Sequence, residues 1–379
     1  MNKRILFGFC SMELGGAERQ GMHLARYLKS LGWDVRVWSC MEETGRVSEI
    51  CDELGIPWEY HRFRSPCRRK SLLVDGWNLL RALWRIRPDV IINYTTWPNV
   101  GGGLVWRWSP AKVCVWGQRN VNCLNGDWVE RRAYRKSSAV VCNAAHMVDY
   151  LEEVLGQTPA PVHVVHNGLH MAPPLRGRTE WRADLGIDGS AVVATMIANF
   201  RAQKDHATLL RSWKKMREEK TDEFAQAHLL LAGAPQQTYE NVCRLRQDLG
   251  LSETVHILDQ VKDVSGLLAA SDIGLLVSKY EGLSNSVIEY MASGLPVIAT
   301  DHPGNREALG NVEGQEFCVN EDVDSLCERL KQFVNDPELR EKIGAQNRRR
   351  AEAEFSIEKM CESNTNIISD LLQKANGGK

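Results

Sequence analysis

Residues 4–39 read RILFGFCSMELGGAERQGMHLARYLKSLGWDVRVWS. A short apolar run, 4–9, passes through a glycine turn into a segment where Ala17, Gly21, Leu24, Ala25, Leu28 and Leu31 share one helical face. Gly32 ends that segment, and a second apolar run, 35–39, follows it. Strand, helix and strand in this order form one βαβ unit.

Working outward, runs 89–94, 112–116, 139–142 and 162–166 are the next strand candidates, with helical stretches between them. Residues 171–190 carry Pro173-Pro174, several glycines and mixed charge without a sustained period, and read as a linker. A second alternation gives strands at 192–198, 228–231, 255–258, 272–277 and 297–299, and a short one near Phe317. The expected fold class is therefore α/β, with two Rossmann-like doubly wound domains, 1–170 and 191–356. The apolar positions Ile357, Met360, Ile367, Ile368, Leu371 and Leu372 suit a C-terminal helix, 357–379, that packs back on the first domain. Ligands bind such sheets beyond the carboxyl ends of the strands, so a central cleft faced by both domains is the expected site.

Composition agrees with two domains, because 379 residues with 43% hydrophobic content exceed one ordinary core. There is no run of eighteen uncharged apolar residues, and the start MNKRILFGFC leads straight into a charged turn. Neither a spanning helix nor a signal peptide is expected, and the chain is expected in the cytoplasm. Eleven cysteines lie scattered without a CxxC pair or zinc spacing, which points to thiols in a reducing compartment and to no metal centre.

The net charge of −1 hides an asymmetry: residues 1–175 hold 22 Lys+Arg against 16 Asp+Glu, and the remainder 25 against 32. Ten of the twelve tryptophans fall between Trp33 and Trp128, several beside the runs His61-Arg62-Phe63-Arg64 and Arg68-Arg69-Lys70. Two readings stand side by side: core tryptophans with solvated charges, or a face that meets an anionic membrane peripherally. No RNA- or DNA-binding motif accompanies the basic half, so nucleic acid is not an expected partner.

Gly15-Gly16 opens the first helix, where bare amides and the absence of side chains let an anion approach; the bland alternative is a tight turn. The richest stretch is YEGLSNSVIEYMASGLPV, 280–297. A strand ends before it, a turn carries Glu281, a helix begins near Ser284, and Gly294 with Pro296 closes it. Glu281 on the loop suits sugar hydroxyls, Glu289 in the helix suits a ribose diol, and the amides of Gly282, Leu283 and Ser284 suit phosphate. Taken singly, each carboxylate also reads as a loop charge or a helix salt bridge.

The pair Glu281 and Glu289, in the setting EGLSNSVIEYMASGLPVIAT, resembles the signature of the large retaining GT-B glycosyltransferases: a Glu, seven residues, a second Glu. GGAER at 15–19, HNG at 166–168, ANFRAQKDH at 198–206 and LAASDIGLLVS at 268–278 resemble the same family in order. The resemblance implies that Arg201 and Lys204 grip the donor diphosphate. A fixed cation pair there stabilises the charge gained by the leaving group without a metal. It further implies a base-binding loop at Asp259-Gln260-Val261-Lys262, retention of the anomeric configuration, and a UDP-linked donor. Asn167-Gly168 and Glu307 are weaker candidates. Many members carry a His where this chain has Gly117-Gln118-Arg119-Asn120; Arg119 and Asn120 are the substitutes for sugar or acceptor binding. His146 is a further candidate, with a structural role as its rival.

The expected activity is transfer of a hexosyl or N-acetylhexosaminyl unit from the nucleotide-sugar to a lipid-linked saccharide or polysaccharide precursor, with no cofactor. An NDP-sugar epimerase, a glycosyl phosphorylase and a non-catalytic nucleotide-sugar-binding protein are the rivals on the same scaffold.

Overall fold

The alternation of apolar runs and amphipathic helices folds into two all-parallel sheets. The computed structural model describes residues 3–63, 69–219, 221–311 and 317–377. The chain divides into two compact units, Met1–Gly168 with Ile357–Lys379, and Leu169–Ser356.

In the first unit the strands are β1 Arg4–Phe9, β2 Asp34–Ser39, β3 Trp58–Tyr60, β4 Val90–Asn93, β5 Val113–Gln118, β6 Ala139–Cys142 and β7 Val162–Val164. Their order is β3-β2-β1-β4-β5-β6-β7. The second unit holds β8 Val193–Ile197, β9 His228–Ala232, β10 Val255–Leu258, β11 Ile273–Leu276 and β12 Val297–Ala299, in the order β10-β9-β8-β11-β12. In both sheets the order reverses beside the first strand, so the chain leaves β1 and β4, and likewise β8 and β11, in opposite directions. Those crevices, at the carboxyl ends of the strands, are where a doubly wound sheet can admit a ligand.

Four expectations change. The edge strand β3 was not anticipated. The stretch near Phe317 forms only an isolated bridge between Thr300 and Cys318. Leu31 is exposed at the end of the first helix, Gly16–Ser30, whose buried face is carried by Gly21, Leu24, Ala25 and Leu28. The segment expected as a linker belongs to the second unit and contains the helix Arg178–Asp184. There the buried Arg182 guanidinium reaches Asp272 at 2.7 Å and the Ala191 carbonyl at 2.8 Å, while Trp181 Nε1 donates to Asp263 at 3.0 Å.

The helix Ile357–Gly377 returns to the first unit, where Met360, Cys361, Ile368 and Leu372 are buried with Ile5, Phe7, Val35 and Val115. The second core is built round Trp213, Phe224, Leu229 and Phe333.

One contact fixes the second unit's crevice. The helix Asn285–Ala292 presents Ser286 and Tyr290, four residues apart, to the last peptide of β8. Ser286 Oγ donates to the Ile197 carbonyl at 2.8 Å, and the Tyr290 hydroxyl accepts from Ile197 N–H at 2.6 Å. The ring of Tyr290 lies on Gly274 of β11 so closely that a Cβ there would sit 2.4 Å from the ring. Removing the hydroxyl leaves a half-buried N–H without its partner, at about 1 kcal/mol. Tyr290→Phe is therefore expected to lower the unit's thermal midpoint by several degrees in calorimetry, with the fold retained.

Acid should also weaken this unit. Burial holds the neutral imidazole of His206 down to about 4, and burial with the neighbouring His256 does the same for His228. Both folded values lie below the unfolded value near 6.5, so the unfolded chain takes up more protons as pH falls. Stability is then flat above pH ~6.5 and declines from there toward pH ~4. Denaturation midpoints across this range check it; His206→Gln should flatten the decline.

Candidate functional site

The loops leaving β8 and β11 are stitched together. Asp205 N–H donates to the Val277 carbonyl at 2.9 Å, Lys279 N–H to the Gln203 carbonyl at 2.9 Å, and Gln203 Nε2 to the Tyr280 carbonyl at 2.7 Å. Across this seam Lys204 Nζ forms an ion pair with Glu281, and both side chains are largely shielded from solvent. A shielded pair keeps more of its Coulomb energy than a surface one, so each side chain fixes the position of the other.

Arg201 stands on the same loop, exposed, with Nε donating to Gln236. Its loop is held at the other side by Asn199 Oδ1, which accepts from Ala234 N–H at 3.0 Å. Gly233 lies between them, where a Cβ would come within 2.1 Å of the Ala198 carbonyl. From below, Thr300 Oγ1 accepts from Ser278 N–H at 3.2 Å, and His302 Nε2 lies 2.7 Å from the Ser278 carbonyl.

The chain then runs through Gly282 and the buried Leu283 into Ser284, the residue before the Asn285–Ala292 helix. Ser284 makes no side-chain cap, so its hydroxyl is not used to close the helix end. Glu289 is buried on the same helix. The helix ends with Gly294 at φ +75°, a left-handed conformation that costs glycine least. The structure thus gathers Arg201, Lys204, Glu281, Gly282, Leu283 and Ser284 at the β8/β11 crevice, with Glu289 on the helix pinned to β8.

Gln260 and Val261 follow the edge strand β10, two strands from β8. Asp263 anchors this turn by accepting from the amides of Leu175 at 3.0 Å and Arg176 at 3.1 Å. Glu307 lies after β12 on the helix Pro303–Leu309 and is half-buried.

In the first unit the candidates converge through carboxamides. Gly15 and Gly16 are exposed at the start of the first helix. One turn on, the buried Gln20 side chain donates to the Gly168 carbonyl and accepts from its N–H, both at 2.9 Å. Asn167 Oδ1 in turn accepts from Arg119 Nη1 at 3.1 Å. Asn99 grips Gly117 in the same two-handed way, at 2.8 and 3.0 Å. Gln118 Nε2 donates to the Asn120 carbonyl at 2.5 Å and so shapes the turn that carries Arg119. Arg119, Gly117, Gln118 and Asn120 line a cavity of about 290 Å³ at the β1/β4 crevice, with Cys10 and Tyr94 opposite. His146 opens the helix His146–Leu155, half-buried, and is not among the lining residues. Among the described residues no three His, Cys, Asp or Glu side chains stand close enough to hold a metal ion.

Tryptophan divides between the two readings of the sequence. Trp38 and Trp116 are fully buried, while Trp77, Trp84, Trp108 and Trp128 are each more than half exposed. Arg64 and Arg68 of the basic run lie outside the described residues, as do the side chains of Arg69 and Lys70. No described helix is long and apolar enough to cross a membrane.

Sequence reasoning missed Gln20, Ser286 and Tyr290, which hold the candidates in place. The spacing of Ser286 and Tyr290 put them on one face, but nothing in the sequence named the peptide they grip.

Comparison with known proteins follows the same two segments. Residues 14–172 match the family model described as Glycosyltransferase Family 4, and residues 177–350 match Glycosyl transferases group 1. The chain is 26% identical to the lipopolysaccharide core biosynthesis glycosyltransferase LpsD of Rhizobium meliloti over 87% of its own length and 88% of that protein's. It is 28% identical to N-acetyl-alpha-D-glucosaminyl L-malate synthase of Bacillus anthracis over 54% of its length and 52% of that protein's, so it spans about half the length of that relative. Among solved structures, Anabaena HepE in complex with UDP-glucose superposes with a TM-score of 0.81 at 18% identity, covering 97% of this chain and 99% of that one. At that identity the likeness speaks for the fold alone. Each of the two Rossmann-like units thus matches a glycosyltransferase family model, and the two in succession support a GT-B glycosyltransferase of group 1.

Proposed function

We propose that this protein is a retaining, metal-independent glycosyltransferase that moves a hexosyl or N-acetylhexosaminyl unit from a UDP-sugar to a hydroxyl of a lipid-linked saccharide or polysaccharide precursor, on the cytoplasmic face of a membrane. The observation that carries the reading is the shielded Lys204–Glu281 pair, with Arg201 and the start of the Asn285 helix, at the β8/β11 crevice. Cations and helix amides beside one carboxylate match a diphosphate joined to a polyol. The name of the Rhizobium relative supports the acceptor class, and the GGAER run at 15–19 is what suggests a UDP-linked donor. A relative from Corynebacterium glutamicum is named for GDP-mannose, so GDP-mannose belongs in the donor screen.

In this mechanism Arg201 and Lys204 receive the charge that grows on the diphosphate as the glycosidic bond breaks. The departing phosphate oxygen takes the acceptor's proton on the same face, which gives retention. Gly15, Gly16, Asn167, Gly168, Gly282, Leu283 and Ser284 contribute backbone contacts to the donor, Gln260 and Val261 border the base, and Arg119 and Asn120 face the acceptor; His146, outside the cavity lining, is left with a structural role. Lys204 also aims Glu281 at the sugar hydroxyls, and Glu289 holds the ribose.

Glu281→Gln removes a negative charge beside the diphosphate without removing the cations. Turnover should fall by about 10²-fold, with nucleotide affinity unchanged or tighter. Glu289→Ala should weaken nucleotide binding by about tenfold or more, the worth of one hydrogen bond to a charged group. Calorimetric titration with UDP and a nucleotide-release assay in EDTA separate the two effects. Undiminished turnover of Glu281→Gln, or loss of activity in EDTA, rejects the scheme; sugar interconversion without an acceptor selects the epimerase instead.

The membrane contact has its own support in the first unit. Trp84 Nε1 donates to the Trp108 carbonyl at 2.9 Å, and Lys136 lies 4.5 Å from the Trp108 ring. Arg107 and Arg132 lie close enough to depress the Lys136 ammonium pKa further, beyond the larger effect of burial. Along Arg69–Ile86, Trp106–Trp108 and Trp128–Lys136, the only acidic residues are Asp75 and Glu130, and both are buried. Exposed indoles framed by Arg107, Arg132 and Lys136 suit an anionic bilayer. Sedimentation with vesicles containing phosphatidylglycerol should show salt-sensitive association, weakened about tenfold when Trp77, Trp84 and Trp108 are replaced by Ser. No association of the parent protein at low salt rejects it.

A further inference from the structure

We infer that the cavity at the β1/β4 crevice of the first unit is an oxyanion pocket built on Arg119, and that the acceptor carries a carboxylate or phosphate beside its reacting hydroxyl. This deepens the transferase reading and depends on it for the word acceptor; the capture of an oxyanion stands on the pocket alone.

Arg119 is 6% exposed and lines the cavity. Its side-chain partners are neutral: Asn167 Oδ1 at 3.1 Å and the face of Tyr94 at 4.8 Å. Its Nε is buried and has no hydrogen-bond acceptor. No carboxylate pairs with it among the described residues. A guanidinium stays charged in a protein, so burial without a counter-charge is unfavourable until an anion arrives. Burial pulls its pKa downward, with Tyr94 and Cys142 opposing.

The wall facing Arg119 adds to the same polarity. The helix Thr96–Val105 begins in the cavity, with Thr95, Thr96 and Trp97 all lining it, and so turns its positive end inward. Thr95 Oγ1 is occupied by Cys10 N–H at 2.8 Å, whereas Asn99 is committed to Gly117. A buried orphan N–H, a helix start and a neutral lining describe a place prepared for one negative charge. The cavity volume of about 290 Å³ exceeds that of a bare phosphate and leaves room for the carbon skeleton that bears it.

Two thiols report on this field. Cys10 and Cys123 both line the cavity and are partly accessible. A hydrogen bond from Cys40 holds the Cys10 thiol below its usual pKa against the effect of burial, with Thr95 and the Trp97 amide assisting. Alkylation by iodoacetate, which is anionic, and by iodoacetamide, which is neutral, can be followed at each thiol by peptide mapping without any sugar donor. Each reaction forms a sulfur–carbon bond and expels iodide, so the pair differs in charge and not in chemistry.

In the parent protein iodoacetate should gain on iodoacetamide at these thiols by about tenfold over its ratio for a free thiol. Inorganic phosphate and glycerol 3-phosphate should shield them, while glycerol does not. Arg119→Gln should abolish both the preference and the shielding, and Arg119→Lys should restore the preference. An unchanged ratio in a folded Arg119→Gln protein overturns the proposal. So does the absence of both preference and shielding in the parent, which needs no variant to fold. Shielding by UDP-glucuronate at a concentration where UDP-glucose gives none moves the anion to the donor sugar and overturns the assignment to the acceptor. Because no transfer is measured, failure here leaves the Glu281 and Glu289 results standing, and their failure leaves this one standing.

Discussion

The backbone of Ile197 is held at both of its polar atoms by one helix, its carbonyl by Ser286 and its N–H by Tyr290. The second unit's chemistry depends on that grip. It sets the start of the Asn285 helix against the end of β8, whose continuation carries Arg201 and Lys204. The seam between Gln203 and Lys279 then brings Glu281 onto Lys204. Removing the grip would leave the residues present but their separations undefined, and cation–anion geometry is what a charge-stabilising site sells to its ligand.

The first unit reaches the same end by other means. Gln20 and Asn99 each hold one glycine residue by its N–H and its carbonyl, and neither glycine carries a side chain that would spread the contact. One clasp ties the first helix to the turn after β7, the other ties the Thr96–Val105 helix to the end of β5, and Arg119, just past β5, links the two through Asn167. Buried carboxamides of this kind satisfy backbone groups that no sheet ladder reaches.

Much of the fold was legible because apolar runs bounded by glycine, proline or charge leave little choice of register. Strands at 4–9, 139–142, 255–258 and 297–299 were read to the residue. The edge strand Trp58–Tyr60 was not, since three half-buried residues have neither a run nor an alternation. The helix Arg178–Asp184 hid inside an apparent linker because its anchor is a buried arginine, a residue that composition assigns to the surface. Of the site, residue types and local turns were visible in the motifs. Their couplings were not: Lys204 and Glu281 lie 77 residues apart, and Gln20 and Gly168 lie 148 apart. Periodicity carries no information about such pairs. The tryptophan-rich half supports both of its readings at once, with Trp38 and Trp116 in the core and Trp84 and Trp108 in solvent.

The return of residues 357–377 to the first unit bears on how the chain is made. Leu169–Ser356 is continuous, so every contact of its core is available once residue 356 has left the ribosome. The earlier-synthesised unit has to wait, because Met360, Ile368 and Leu372 fill its interior. The order in which the two cores are completed is thus the reverse of the order in which they are begun. The amino-terminal half is born first and sealed last, and during translation its unfilled apolar face is the part most in need of a chaperone.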